Sequence, residues 1–189
     1  MSSLAVESAK LLRDADVELI LYGCTSGSFI GGKDYEKELE AKIEDEVKVP
    51  VISTSTAVIE ALKILDAQSI LVITPYTDEI NQREKEFLEA NEFEVLDIRG
   101  GLGIGGDNLK IGRLEPYEAY LLAKASFIDE ADAIFISCTN WRTFEIIEAL
   151  EEDLGVPVVT SNQASLWLAL REMDIMEKIP ELGRLFTEY

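Results

Sequence analysis

Two cysteines stand out as residues whose type and setting could do chemistry. Cys24 and Cys138 each follow a short apolar run that is typical of a buried β-strand. Polar residues come next, Thr25 and Ser26 after the first cysteine and Thr139 after the second. A strand-to-helix turn of this kind presents backbone N–H groups, which bind carboxylates and lower the pKa of a thiol. The pattern therefore predicts two thiols beside a site for an anion.

The amino-acid composition narrows the chemistry further. The chain of 189 residues contains no histidine, which excludes Ser-His-Asp and Cys-His catalysis and any metal site with a histidine ligand. Proton transfer is then left to Cys, Tyr, Lys, Asp and Glu. Two cysteines alone make a poor zinc site, so we expect no metal. An isolated cysteine is more often a small buried hydrophobe, but the polar neighbours of both favour a functional role.

The charge balance excludes other classes of function. The net charge is −20, from 17 basic and 37 acidic residues, which argues against binding to nucleic acid. An anionic substrate would need positive potential supplied locally by its site. No apolar run reaches the 18 or more residues that span a bilayer, and the polar start lacks the basic region of a signal peptide. We expect a cytoplasmic protein that binds neither nucleic acid nor membrane.

Short β-branched runs alternate with amphipathic stretches along the chain. This order predicts an α/β fold in which buried parallel strands are flanked by helices. The predicted strands cover 18–23, 49–53, 69–74, 93–98, 133–137 and 156–160. The predicted helices cover 3–14, 34–46, 56–66, 78–91, 115–130, 142–154, 163–172 and 174–187.

The chain also repeats itself. Segment 18–26 is similar to segment 133–140, and each contains a Cys-Thr pair. In each half an acidic helical stretch follows, and after it comes a second pair of similar segments, 49–57 and 156–164. Both of these begin with Val-Pro-Val. We interpret the repeat as two similar lobes related by a pseudo-twofold axis, each a short parallel sheet flanked by helices.

The repeat predicts the boundaries of the two lobes and how the two thiols could act on one substrate. The N-terminal lobe would comprise 1–67 with the returning helices of 163–189, and the C-terminal lobe 68–162. If the lobes face each other, Cys24 and Cys138 can approach one substrate carbon from opposite sides. That geometry suits inversion of a stereocentre, or reversible addition and elimination at a double bond.

The segments around the cysteines resemble a known superfamily. Residues 22–28 and 137–142 resemble the aspartate/glutamate racemase superfamily, and the most similar branch contains maleate cis-trans isomerases and arylmalonate decarboxylases. Residues 74–81 and 97–108 are similar to the same branch. Members of the family normally begin with one more β-α unit, so we expect the first strand of the N-terminal lobe to be missing from this sequence.

The resemblance implies a role for each candidate residue. Cys24 resembles the isomerase nucleophile and Cys138 its acid/base partner. The expected substrate-binding residues are Thr25, Ser26, Tyr76, Asn108 and Thr139. The resemblance further implies a small dicarboxylate or amino-acid substrate, no cofactor, and a homodimer or larger homo-oligomer.

Several activities remain open from the sequence. In the decarboxylases the first cysteine position is typically glycine, so the presence of both cysteines favours a maleate-type isomerase. An amino-acid racemase of the aspartate/glutamate type and an arylmalonate-type decarboxylase are the alternatives among enzymes. A non-catalytic carboxylate-binding protein is the alternative from another class.

Overall fold

The computed structural model describes residues 2–100, 102–104 and 106–189, in which strands and helices alternate as the sequence predicts. In chain order the elements are α1 (Ser2–Arg13), β1 (Ile20–Tyr22), α2 (Thr25–Phe29), α3 (Tyr35–Val47), β2 (Val51–Ser53), α4 (Thr54–Ile64), β3 (Ser69–Ile73), α5 (Asp78–Ala90), β4 (Glu94–Arg99), α6 (Asn108–Ile111), α7 (Pro116–Ser126), β5 (Ala133–Ile136), α8 (Ile147–Leu154), β6 (Val158–Thr160), α9 (Ser161–Glu172) and α10 (Gly183–Glu188). Short 3-10 turns cover Phe144–Ile146 and Pro180–Leu182.

The strands form two parallel sheets. One sheet has two strands in the order β1-β2, and the other has four in the order β4-β3-β5-β6. Since every pairing is parallel, the carboxyl ends of the strands in each sheet lie at one edge. The predicted α/β fold with short parallel sheets flanked by helices is confirmed.

The repeat in the sequence corresponds to a repeat in local structure. Strand β1 pairs in parallel with β2, and β5 pairs in the same way with β6. The helix that follows each pair begins with the same kind of cap. The Ser53 side chain accepts the N–H of Thr56 at the start of α4, and the Thr160 side chain accepts the N–H of Gln163 at the start of α9. Helices α4 and α9 pack against each other, which brings the two repeats together.

Apolar side chains are divided between two clusters. The larger surrounds β3, β5 and β6 and includes residues of α4 and α9, so it extends across both repeats. The smaller lies between β1, β2, α1 and α3. Its contribution from α3 comes from Leu39, Ile43 and Val47, whose spacing of four residues places them on one face of the helix. Within the part of the chain that the structure describes, β1 pairs with β2 alone.

The prediction of one helix over 174–187 is wrong. Asp174 adopts a positive φ of 58°, which ends α9, and the backbone leaves helical conformation until the 3-10 turn at Pro180. Gly183 then takes a φ of 70° before the short helix α10. Proline and left-handed residues interrupt the helix because they remove or misdirect its hydrogen bonds. No helix in the described residues is long and apolar enough to cross a membrane.

The buried centre of the larger sheet gives a test of the fold. Ile134 in β5 is 0% exposed, so Ile134→Ala should lower the free energy of unfolding by about 2–5 kcal/mol, through lost burial and a cavity. Leu121→Ala is the control, because Leu121 lies on α7 and is 49% exposed. Urea unfolding followed by circular dichroism measures both variants. Equal losses would contradict the assignment of β5 to the core.

Candidate active site

The first cysteine lies in an ordered turn between β1 and α2. Cys24 is the N-cap residue of α2, with extended backbone angles of φ −146° and ψ 106°, and its side chain is half-buried. The buried hydroxyl of Ser28 donates to the carbonyl oxygens of Cys24 at 2.8 Å and Thr25 at 2.9 Å. These bonds hold the turn in place. Cys24 lies two residues after the last residue of β1, so it follows the carboxyl end of a strand, with Gly23 between them.

Gly27 and Tyr22 shape the surroundings of the first thiol. A Cβ atom at Gly27 would lie 2.8 Å from both the Cys24 Sγ and the Tyr22 Oη, so only glycine leaves these groups room. Burial raises the pKa of Tyr22, and the adjacent Cys24 raises it further. Tyr22 was not among the predicted site residues. Its position two residues before Cys24 could have indicated it, since residues two apart on an extended segment lie on the same side.

The second cysteine has a strained backbone. Cys138 has a φ of 96°, and the other described non-glycine residues with positive φ have values between 54° and 73°. A non-glycine residue in such a conformation costs about 1–3 kcal/mol and persists only where its surroundings impose it. Here the Cys138 N–H donates to Ser161 Oγ at 3.0 Å, and the Cys138 carbonyl accepts the N–H of Trp141 at 3.2 Å.

Two hydrogen-bonded bridges join the cysteine turns. Ser161 Oγ, which accepts the Cys138 N–H, also accepts the hydroxyl of Thr25 at 3.0 Å. In the second bridge the Thr139 hydroxyl donates to the carbonyl oxygen of Gly23 at 3.2 Å. Residues next to each cysteine therefore contact the opposite turn. Ser161, the first residue of α9, was not among the predicted site residues.

Tyr76 is close to the second thiol. It lies just after β3 and is 5% exposed, and its phenol and the Cys138 thiol each shift the pKa of the other. Burial raises the pKa of the Cys138 thiol, while the hydrogen bonds from Tyr76 and from the backbone N–H of Asn140 partly lower it. Negative charge on Cys24 also raises the pKa of Cys138, so the thiols are close enough to interact electrostatically. Cys138 is therefore a neutral thiol at neutral pH.

The remaining predicted residues lie around this centre with different contacts. Thr25 is buried, and its hydroxyl is used in the bridge to Ser161. Ser26 is half-buried in α2 next to it. Asn108 begins α6 and is exposed, and its backbone carbonyl accepts the side-chain amide of Asn140 at 2.7 Å. That bond connects Asn108 to the chain segment that follows Cys138.

A cleft adjoins the bridge between the turns. It has a volume of about 460 Å³. The cleft is reached through the residues next to the cysteines and not lined by the cysteines themselves: its polar part comes from Gly23, Thr139, Asn140, Asn162 and Ser165, and its apolar part from Leu21, Leu166 and Ala169. Clefts of a few hundred cubic ångströms are the usual size for small-molecule ligands. Among the described residues there is no group of three or more His, Cys, Asp or Glu side chains that could hold a metal ion.

Fold and site together define an α/β protein in which two similar cysteine turns, each following a parallel strand, meet through hydrogen bonds. The family model described as arylmalonate decarboxylase matches residues 3–186. The chain belongs to the arylmalonate decarboxylase family, and the resemblance inferred from the cysteine segments is confirmed.

Three comparisons show the range of activities among similar proteins. A maleate isomerase of Nocardia farcinica is 28% identical over 183 residues, which are 94% of this chain and 72% of that protein. A solved maleate cis-trans isomerase from Nocardia farcinica has a TM-score of 0.94 at 25% identity, covering 100% of this chain and 79% of its own. It is a cysteine-to-serine mutant with a covalently bound succinylcysteine intermediate. A liganded arylmalonate decarboxylase with glycine-to-cysteine and cysteine-to-serine exchanges has a TM-score of 0.93 at 28% identity. The match covers 100% of this chain and 80% of that protein.

The bridge through Ser161 gives a test of how the turns are held. Ser161→Ala should lower the free energy of unfolding by about 1–3 kcal/mol, because it leaves the buried N–H of Cys138 without an acceptor. Ser165→Ala is the matched control. It removes a buried serine one turn further along α9 whose single hydrogen bond among the described residues goes to the Thr54 hydroxyl, at a cost of about 1 kcal/mol or less.

Urea unfolding of the two variants, with hydrogen exchange at the Cys138 amide, measures the difference. Faster exchange at that amide should appear in Ser161→Ala alone. Unchanged exchange there would contradict the role of Ser161 in holding the second turn.

Proposed function

We propose that this protein is a cofactor-independent cis-trans isomerase of a small dicarboxylate of the maleate type. In this proposal Cys24 is the nucleophile and Cys138 the acid/base partner. The observation that carries the proposal is the pair of hydrogen-bonded bridges that bring the two cysteine turns together at one cleft.

The contrast between the two thiols supports their different roles. Cys24 is half-buried and follows β1 of the two-stranded sheet, so it is the more exposed of the two cysteines. Cys138 is buried, and its raised pKa keeps its proton at neutral pH. A thiol that keeps its proton is suited to protonating a carbanion, and the hydrogen-bonded phenol of Tyr76 can stabilise the thiolate that remains.

The reaction balances with these two groups alone. The Cys24 thiolate adds to one alkene carbon and forms a C–S bond, while the π electrons move to the adjacent carbon. That carbon takes the proton of Cys138 and becomes saturated, so the substrate can rotate about what is now a single bond. Cys138 then removes a proton from the same carbon, the double bond re-forms, and Cys24 leaves as the thiolate. The product is the trans isomer, and no oxidant or external acid is consumed.

The similar proteins support the covalent step. The Nocardia farcinica enzyme bears its intermediate as a succinylcysteine, which is the saturated adduct that addition and protonation would form here. In the decarboxylase double mutant, the exchanged glycine and cysteine are separated by the same number of residues as Cys24 and Cys138. Since that enzyme has glycine at the first of these positions and this chain has cysteine, the comparison favours isomerisation over decarboxylation.

The substrate carboxylates would be bound by neutral donors around the thiols. Tyr76 and the side-chain amide of Asn108 are proposed for this task, with Ser26 as a further hydroxyl donor. The hydroxyls of Thr25 and Thr139 already donate to Ser161 and to the Gly23 carbonyl, so we assign both side chains to holding the turns together. The cytoplasmic location, expected from the composition, and the homo-oligomer, implied by the resemblance, stay predictions. Light scattering on the purified protein tests the oligomeric state.

Incubation with maleate, D- and L-aspartate, and phenylmalonate, followed by proton NMR, tests the proposed activity. Fumarate should form from maleate, and Cys24→Ala should lower this rate by about a thousandfold or more, because the C–S bond cannot form. A Cys24→Ala variant with full isomerase activity would refute the nucleophile. Racemised aspartate or decarboxylated phenylmalonate without fumarate would support the alternative enzymes.

Mass spectrometry separates the roles of the two cysteines. Cys138→Ser should be nearly inactive but should accumulate an adduct of one substrate molecule on Cys24. Cys24→Ser should form no adduct, which makes it the matched control. A protein that binds maleate, forms no adduct and turns over none of the four compounds would be the non-catalytic carboxylate-binding alternative.

A further inference from the structure

Glu84 is a buried carboxyl group next to the second cysteine turn, and the mechanism above does not use it. It lies on α5 and is 1% exposed. Its Oε1 accepts a hydrogen bond from the hydroxyl of Ser137, the residue before Cys138. Its Oε2 is buried and has no hydrogen-bond partner among the described residues. An ionised carboxylate with one unpartnered oxygen in such a place is costly.

No positively charged group among the described residues acts on Glu84, and Arg99 of the neighbouring strand β4 pairs with Asp97. A small cavity of about 10 Å³ beside it is bordered by Thr25 of α2, Ser55 of α4 and otherwise apolar side chains, most of them phenyl rings. The titratable groups that face Glu84 are Tyr76, after β3, and Cys138, after β5. Both of these groups gain negative charge when they ionise, so neither can neutralise the carboxylate.

The cations on α5 itself have other partners. Arg83 pairs with Glu79 at 3.4 Å, and Lys85 pairs with Glu89 at 3.6 Å, on the exposed side of the helix. Glu84, Tyr76 and Cys138 therefore form a cluster of three acids without a cation among the described groups that face it. In such a cluster the first ionisation opposes the second.

The protonation of the cluster follows from its burial. Burial raises the pKa of Glu84 to about 8, although the hydrogen bond from Ser137 acts in the opposite direction. Glu84 is therefore mostly neutral at neutral pH and loses its proton as the pH rises through about 8. Once ionised, its charge raises the pKa of Cys138 and of Tyr76 further.

Resting on the proposed role of Cys138, we propose that Glu84 is a positioning residue for this cysteine. It anchors the turn through the Ser137 hydroxyl, and its neutral form allows Cys138 to carry negative charge during each turnover. Ionised Glu84 opposes that charge. Isomerase activity should then fall as the pH rises through the ionisation of Glu84, and Cys138 should become easier to ionise when Glu84 cannot carry a charge.

Glu84→Gln tests this inference because glutamine preserves the shape and cannot ionise. The readout is the pH dependence of Cys138 alkylation by iodoacetamide, with the modified cysteine identified by peptide mass mapping. The midpoint for Cys138 should move down by about one pH unit in Glu84→Gln. Glu36→Gln is the matched control, since Glu36 is also a buried carboxyl with an unpartnered oxygen and a pKa raised by burial. It should leave the midpoint unchanged.

A folded Glu84→Gln protein with the wild-type profile for Cys138 would overturn the inference. Should glutamine not be tolerated, Glu84→Met supplies a neutral side chain of similar length and should give the same shift. Carbon-13 NMR of the wild-type carboxyl groups provides a measurement without any variant. The absence of a glutamate carboxyl that titrates near pH 8 would also overturn it.

The alkylation measurement does not depend on turnover. A shifted Cys138 profile in a protein that does not isomerise maleate would support the coupling and contradict the proposed function. An unchanged profile in an active isomerase would contradict the role of Glu84 alone.

Discussion

The hydroxyl oxygen of Ser161 accepts hydrogen bonds from both halves of the molecule, and the arrangement of the site depends on it. One bond comes from the side chain of Thr25, which follows Cys24, and the other from the backbone of Cys138. The second bond also helps to hold Cys138 at a φ of 96°. Because backbone strain persists only where the surroundings impose it, the packing of α9 against the two turns determines where both sulfurs lie.

Similar sequences in the two halves produce similar turns with different chemical environments. Cys24 lies in unstrained extended backbone beside Tyr22, with space provided by Gly27. Cys138 is strained, buried and in contact with a second phenol, Tyr76. The repeat therefore accounts for the presence of two thiols, whereas the local packing makes one accessible and keeps the other protonated. A reaction with one nucleophile and one proton donor requires this difference in exposure and protonation between the two thiols.

The parts of the structure that depend on local sequence could be predicted, and those that depend on long-range contacts could not. Apolar runs predicted the strands, and the polar residues that follow two of these runs indicated a functional role for both cysteines. Ser161 was not found, because its partners are 136 and 23 residues away in the chain. Glu84 belongs to an acidic amphipathic helix, and only the packed structure distinguishes it from its solvated neighbours on α5. The prediction of one helix over 174–187 was wrong because Pro180 begins a 3-10 turn and Gly183 has a positive φ, and both interrupt the helix.

The electrostatic potential at the site depends on the charges close to it and not on the net charge of the whole chain. With a net charge of −20, an anionic substrate would be repelled if every charge acted at full strength. Salt screens exposed charges beyond about 8–10 Å, so a bound dicarboxylate interacts mainly with the groups that line the cleft. Those groups are the polar side chains of Thr139, Asn140, Asn162 and Ser165 and the apolar side chains of Leu21, Leu166 and Ala169, and none of them is charged. A permanently ionised Glu84 would place an unscreened negative charge beside Cys138, where the proposed reaction forms a thiolate. Burial without a facing cation keeps this carboxyl mostly neutral at neutral pH.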